Sequence, residues 1–115
     1  METTPEITDK WREAAMTQFS NNVAFEIVIS KPKAGVSLET LLQADKTMEQ
    51  RFLAKQKGFI NREVGVSKDG EVFVIVRWKT LADAEAAGAA FMTDPAAKAR
   101  MEISELSLFK HYIKQ

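Results

Sequence analysis

The stretch Glu71–Lys79 leaves neither of its faces polar. Read as a strand, it puts Val72, Val74, Val76 and Trp78 on one side and Phe73 and Ile75 on the other. A strand that is apolar on both faces has to be buried on both. The chain must therefore cover two surfaces of one sheet. At 115 residues it is one domain's worth, with no second core to do the covering.

Composition narrows the chemistry. With 45% hydrophobic and 28% charged residues, the chain can bury a core. The 16 basic and 16 acidic residues cancel, which argues against a nucleic-acid binder, since phosphate recognition needs a basic surplus. The absence of cysteine excludes disulfides, thiolate nucleophiles, iron–sulfur clusters and thiolate-bound zinc. A single histidine excludes a multi-histidine metal site within one chain. The longest strongly apolar run, Val72–Val76, is far short of the roughly 20 residues a membrane span needs. The acidic opening Met-Glu-Thr-Thr-Pro-Glu has no apolar signal region, so the expected location is cytoplasmic.

Thr4 and Pro5 are a cap and first helical position for a segment to Phe19, with Ile7, Trp11, Ala14, Ala15 and Phe19 on one face. Residues 1–20 read as a helical extension. It either docks on a partner or covers a pocket, or packs on its own domain. Residues 21–115 read as the domain itself. Val23–Ser30 is a strand with one wholly apolar row (Val23, Phe25, Ile27, Ile29) and one mixed row (Ala24, Glu26, Val28, Ser30). The loop Lys31–Gly35 ends it, and the Lys31-Pro32-Lys33 piece reads as a solvated turn. Ser37 caps a helix expected to reach Lys57, with Gly58 as its stop. Its apolar stripe is Leu38, Leu41, Leu42, Met48 and Phe52.

Phe59–Ser67 and Glu71–Lys79 form a hairpin about Lys68-Asp69-Gly70. Thr80 and Asp83 resemble a capping box for an alanine-rich helix over Leu81–Met92. Asp94-Pro95 opens a short helix to Glu102. Glu105–Lys114 is the last strand, with Ser107, Phe109, His111 and Ile113 on one face and Leu106, Leu108, Lys110 and Tyr112 on the other. The order βαββαβ predicts a ferredoxin-like α+β fold: a four-stranded antiparallel sheet with both helices on one face. Its other face is apolar too, so a homodimer in which two sheets close over one another is expected, with a pocket in part of the space between them.

At this point the residues resemble a known family. Gly58-Phe59-Ile60-Asn61-Arg62-Glu63, the hairpin, Val74-Ile75-Val76-Arg77-Trp78-Lys79 and Asp83-Ala84-Glu85-Ala86-Ala87 resemble the antibiotic biosynthesis monooxygenase-like proteins of the dimeric α+β barrel superfamily. The resemblance covers about residues 23–114. It implies the dimeric barrel. For chemistry it implies one of three things: cofactor-independent monooxygenation of phenols and quinols, haem degradation, or no known activity. The haem-degrading branch carries a Trp late in the second helix and a ligating His in the short helix that follows. This chain has Phe91 and Met101 there, so haem oxidation is not expected, nor any other cofactor.

The monooxygenase branch implies an aromatic and polar pocket between sheet and helices that binds an electron-rich aromatic and holds its anion, and its chemistry needs a base and a dry pocket. Glu26 and His111 are the candidate catalytic residues, and Trp78, Arg62 and Tyr112 the candidate substrate-binding ones. Glu26 interrupts an apolar strand. Opposite a second sheet it would lie inside the barrel as a base, or ion-pair with a Lys or Arg across the dimer. His111 titrates nearest neutrality, and the first and last strands neighbour each other, so the two can meet if the register puts them on one face. Otherwise His111 is a half-exposed packing residue. Trp78 is either a stacking wall for a flat ligand or core filler. Arg62 and Arg77 either clamp a carboxylate or phenolate, or are solvated strand ends or intersubunit ion pairs. Met48, Phe52 and Phe91 read as core. Two readings stand: a small monooxygenase acting on a phenol or quinol-like aromatic, or a non-catalytic small-ligand-binding or structural dimer module.

Overall fold

A computed structural model describes residues 22–115. The expected N-terminal helix and the domain boundary beside it lie outside the described residues. The strands are β1 (Ala24–Pro32), β2 (Phe59–Val66), β3 (Val72–Trp78) and β4 (Ser104–Ile113). The helices are α1 (Leu38–Arg51), α2 (Leu81–Phe91) and α3 (Pro95–Glu102), with a 3-10 turn at Leu53–Lys55. All four strands pair antiparallel in the order β2-β3-β1-β4. This is the ferredoxin-like arrangement the element order predicts.

Local chemistry places the elements. The three expected caps form: Ser37 Oγ accepts from Thr40 N at 3.0 Å, Thr80 Oγ1 from Asp83 N at 3.0 Å, and an Asp94 carboxylate oxygen from Ala97 N at 2.9 Å. The β2–β3 hairpin turns at Gly70, whose φ is +82°. Gly58, at φ +83°, reverses the chain behind the 3-10 turn, and a Cβ there would lie 2.2 Å from Asp83 Oδ2. Helix α1 stops at Arg51, short of the expected Lys57. Phe52 leaves helical geometry at φ −124° and ψ −63°. Adjacent residues on an α-helix diverge by about 100°. The break lets both Phe52 and Leu53 enter the core, each only 4% exposed. Strand β1 runs past Ser30 to Pro32, so the expected Lys31-Pro32-Lys33 turn starts later. Beyond Ser30 only β4 pairs with β1, and a proline is tolerated on that free edge.

The helix-facing side of the sheet is the core. Ala24 of β1 and Val72, Val74, Val76 and Trp78 of β3 pack with Leu41, Met48, Phe52, Ala84, Ala87 and Ala97. Burying one Val or Leu side chain is worth about 1.5–3 kcal/mol, so these contacts hold the helices to the sheet. The opposite face carries Phe25, Ile27, Ile29 and Ile75, half-buried, and the exposed Phe73 and Tyr112. No helix among the described residues covers it. On its rim Arg77 donates to Glu63 at 2.7 Å and to Asn61 at 3.1 Å, and lies 5.9 Å from the Phe25 ring centroid. Among the described residues, no helix is long and apolar enough to cross a membrane.

Candidate active-site cavity

The strand rows divide as the alternation predicts, and the face of Glu26, which the sequence leaves open, is the one toward the helices. The wholly apolar row of β1 takes the open face, and the mixed row turns toward the helices. Glu26 is 8% exposed and lines a cavity of about 630 Å³ between sheet and helices. The cavity lies where the resemblance implies a pocket, between sheet and helices, within one chain. The physical reason is that the helix layer does not fill its side of the sheet. Helix α2 presents Ala87 and Gly88 there, too short to reach across to Val28, Val74 and Phe109, and a space remains.

Glu26 and His111 are directly paired across the β1–β4 ladder. His111 Nε2 lies 2.9 Å from Glu26 Oε1. With Glu26 ionised, Nε2 carries the proton and donates it, which leaves Nδ1 bare as an acceptor. The Phe109 ring packs edge-on to the imidazole at 5.3 Å between centroids. This is an ion pair or carboxylate–imidazole bond within one chain, not one across a dimer.

Trp78 lines the same cavity, fully buried, and its Nε1–H has no acceptor among the described residues. Its ring meets Phe59 edge-on at 5.9 Å. Met48, Phe52 and Phe91, expected to be core only, line the cavity as well, with Phe52 and Phe91 edge-on at 5.9 Å. They are core on one side and cavity wall on the other, because the space opens beneath α2. Leu106 also departs from its expected face. The β1–β4 register slips between Ile29 and Ser30, so Leu106 pairs with Ser30 and joins the cavity side.

Arg62 and Tyr112 do not join this group. Tyr112 pairs with Phe25 on the open face, with the Lys110 ammonium 5.2 Å from its ring centroid. Arg62 faces the helices from β2 but is held away from the cavity by carboxylates. It ion-pairs with Asp45, and its Nη1 lies 3.0 Å from Glu49 Oε1. Asp45 also accepts from Arg100 Nε at 2.8 Å. Arg100 donates further to Ser30 Oγ at 3.1 Å and to Ser104 Oγ at 3.3 Å. One buried carboxylate therefore joins two buried guanidiniums, tying α1, β2, α3, β1 and β4 together. Burial, and then the charge of Arg100, pull the Arg62 pKa down to about 10. Burial lowers that of Arg100 as well.

Asp45 and Arg100 were not among the expected site residues, yet both line the cavity. The signal for Asp45 was its position: it follows Leu41 by four and precedes Met48 by three, on the apolar stripe of α1. A carboxylate on such a stripe needs a buried cation. Among the described residues, no cluster of three His, Asp or Glu side chains is arranged to hold a metal ion.

No family model matches the sequence, and no curated protein matches it. Solved structures do match in shape. A point mutant of SnoaB, a cofactor-independent oxygenase from Streptomyces nogalater, superposes with a TM-score of 0.69 at 15% identity, over 82% of this chain and 94% of that one. A protein from Chloroflexus aurantiacus, provisionally named an antibiotic biosynthesis monooxygenase, gives 0.58 at 10% identity, over 81% and 93%. A dimeric protein of unknown function with a ferredoxin-like fold, from Bacteroides fragilis, gives 0.54 at 18% identity, over 80% and 96%. The chain shares their fold. Within that ferredoxin-like frame, the Glu26–His111 pair, Trp78 and the Asp45–Arg100 pair border one cavity.

Proposed function

We propose that the cavity binds a small phenol or quinol-like aromatic and that the protein is a cofactor-independent monooxygenase, working as a cytosolic homodimer closed over the open sheet face. One observation carries the chemistry: a carboxylate–imidazole pair at 2.9 Å in the wall of a mainly apolar cavity of about 630 Å³.

The phenolic proton passes to His111 Nδ1, and Glu26 stabilises the imidazolium that forms. Deprotonation makes the ring electron-rich enough to reduce dioxygen directly. For a phenol with an open ring position the products are a quinone and water. The ring gives up four electrons, one oxygen atom enters as the new carbonyl, and the other leaves as water with the two displaced hydrogens. Phe91 offers a flat wall to the ring, and the apolar lining keeps bulk water from the anion. Oxygen consumption with 1-naphthol and related phenols tests the reading. Uptake by the wild type that is lost in His111→Ala supports it, and equal uptake by both contradicts it.

Binding without turnover is the second reading. It is favoured by the number of apolar groups in the lining, which serve a ligand pocket equally well. The dimer is supported by the apolar open face and by the dimeric protein among the similar structures.

A further inference from the structure

The cavity has two polar ends. At one, Glu26 meets His111. At the other, Arg100 meets Asp45, Ser30 and Ser104. Glu26 and Ser30 stand four residues apart on the same face of β1, a separation of roughly 13 Å at strand rise. Between them the wall is apolar: Val28, with Val74 and Phe109 paired to it on either side.

Arg100 is 5% exposed and is not fully used. A guanidinium has five N–H donors. Three bonds account for one on each nitrogen, and two remain. Its charge is also only partly met. Asp45, its single carboxylate partner among the described residues, is shared with Arg62, which has Glu49 as a second carboxylate partner; Arg100 has no second one.

Other acids border the cavity, and none blocks an anion at this end. Both Asp45 oxygens are already engaged by guanidiniums. Glu26 is at the far end with His111, and Glu85 is exposed.

We propose that the Arg100 end is a carboxylate subsite, so that the cavity takes an elongated hydroxyaromatic acid with its hydroxyl at Glu26–His111 and its carboxylate at Arg100. This rests on the reading of the cavity as a hydroxyaromatic site and specifies what that site selects. The apolar middle holds the ring system, and the two ends fix its direction. The hydroxyl is then delivered to His111 and not to Arg100.

Three rigid probes of one shape test this on the full chain at neutral pH: 4′-hydroxybiphenyl-4-carboxylic acid, its carboxamide and 4-hydroxybiphenyl. In titration calorimetry the acid binds about tenfold or more tighter than either neutral probe. In Arg100→Met that advantage falls to about one. Because Arg100 also holds the fold together, a second measurement uses the wild type alone: the Arg100 Nε–H resonance shifts on adding the acid and stays in place with the carboxamide. Equal affinity for all three probes, an advantage that survives in Arg100→Met, or an unmoved Nε–H resonance overturns the subsite and leaves the hydroxyaromatic reading standing. Failure of all three probes to bind overturns both.

Discussion

His111 and Glu26 face each other across neighbouring antiparallel strands, with Nε2 and Oε1 2.9 Å apart in the wall of an apolar cavity. The ladder fixes the pair, since directly opposed residues share one face of the sheet. Neither side chain has to travel, so the geometry is available before a ligand arrives.

The pair predicts separable mutant effects. On the proposed mechanism, His111→Ala removes the proton acceptor and lowers the rate on a phenolic substrate by about 10²–10⁴-fold. Glu26→Gln keeps the acceptor but not the charge that stabilises its protonated form, and costs less. Both variants keep nearly the wild-type melting temperature. A loss of folding that tracks the loss of oxygen uptake would contradict this.

Asp45→Asn leaves two buried guanidiniums without their shared carboxylate. Breaking one side of a buried ion pair costs about 3–5 kcal/mol, and urea unfolding should read a loss of that order. A loss below about 1 kcal/mol, the range of exposed ion pairs, would show that water reaches the cluster.

Gly58 and Gly70 share a positive φ, at +83° and +82°, but differ in surroundings. An alanine Cβ at Gly70 meets nothing within 4 Å, whereas at Gly58 it meets the Asp83 side chain. Gly70→Ala should cost about 1–2 kcal/mol for the backbone alone. Gly58→Ala should cost more, by the amount needed to displace Asp83 from the start of α2. Equal losses in thermal melts would remove the steric argument.

The proposed dimer closes over the open sheet face. Ile27 and Ile75 are paired at its centre. In that dimer Ile75→Glu puts a charge in the middle of the contact and should leave the 12.9 kDa chain alone in light scattering. A dimer that survives this substitution is built on another surface.

Alternation and capping made most of the fold legible. The caps at Ser37, Thr80 and Asp94 and the turn at Gly70 are local chemistry, and each formed where its residues stood. The Glu26–His111 meeting was legible as an option, because strand order makes β1 and β4 neighbours. The side of the sheet Glu26 would face was not. The apolar row was equally suited to helices and to a second sheet, and only the position of the helices decides. The cavity was hidden for the same reason. Met48, Phe52 and Phe91 have the spacing of core residues, and whether a core closes depends on how far the alanines of α2 stand from the sheet. Leu106 changed faces at a one-residue slip that alternation cannot locate.

The chain has a single histidine, so the ring signals of His111 need no assignment among rivals. Titrating 4-hydroxybiphenyl into the protein while following those signals by NMR tests the central claim most directly. The account predicts that they shift and saturate with the ligand, one per chain, and that Glu26→Gln changes the shift. Imidazole signals that stay fixed while the ligand binds elsewhere, or no binding at all, would contradict it.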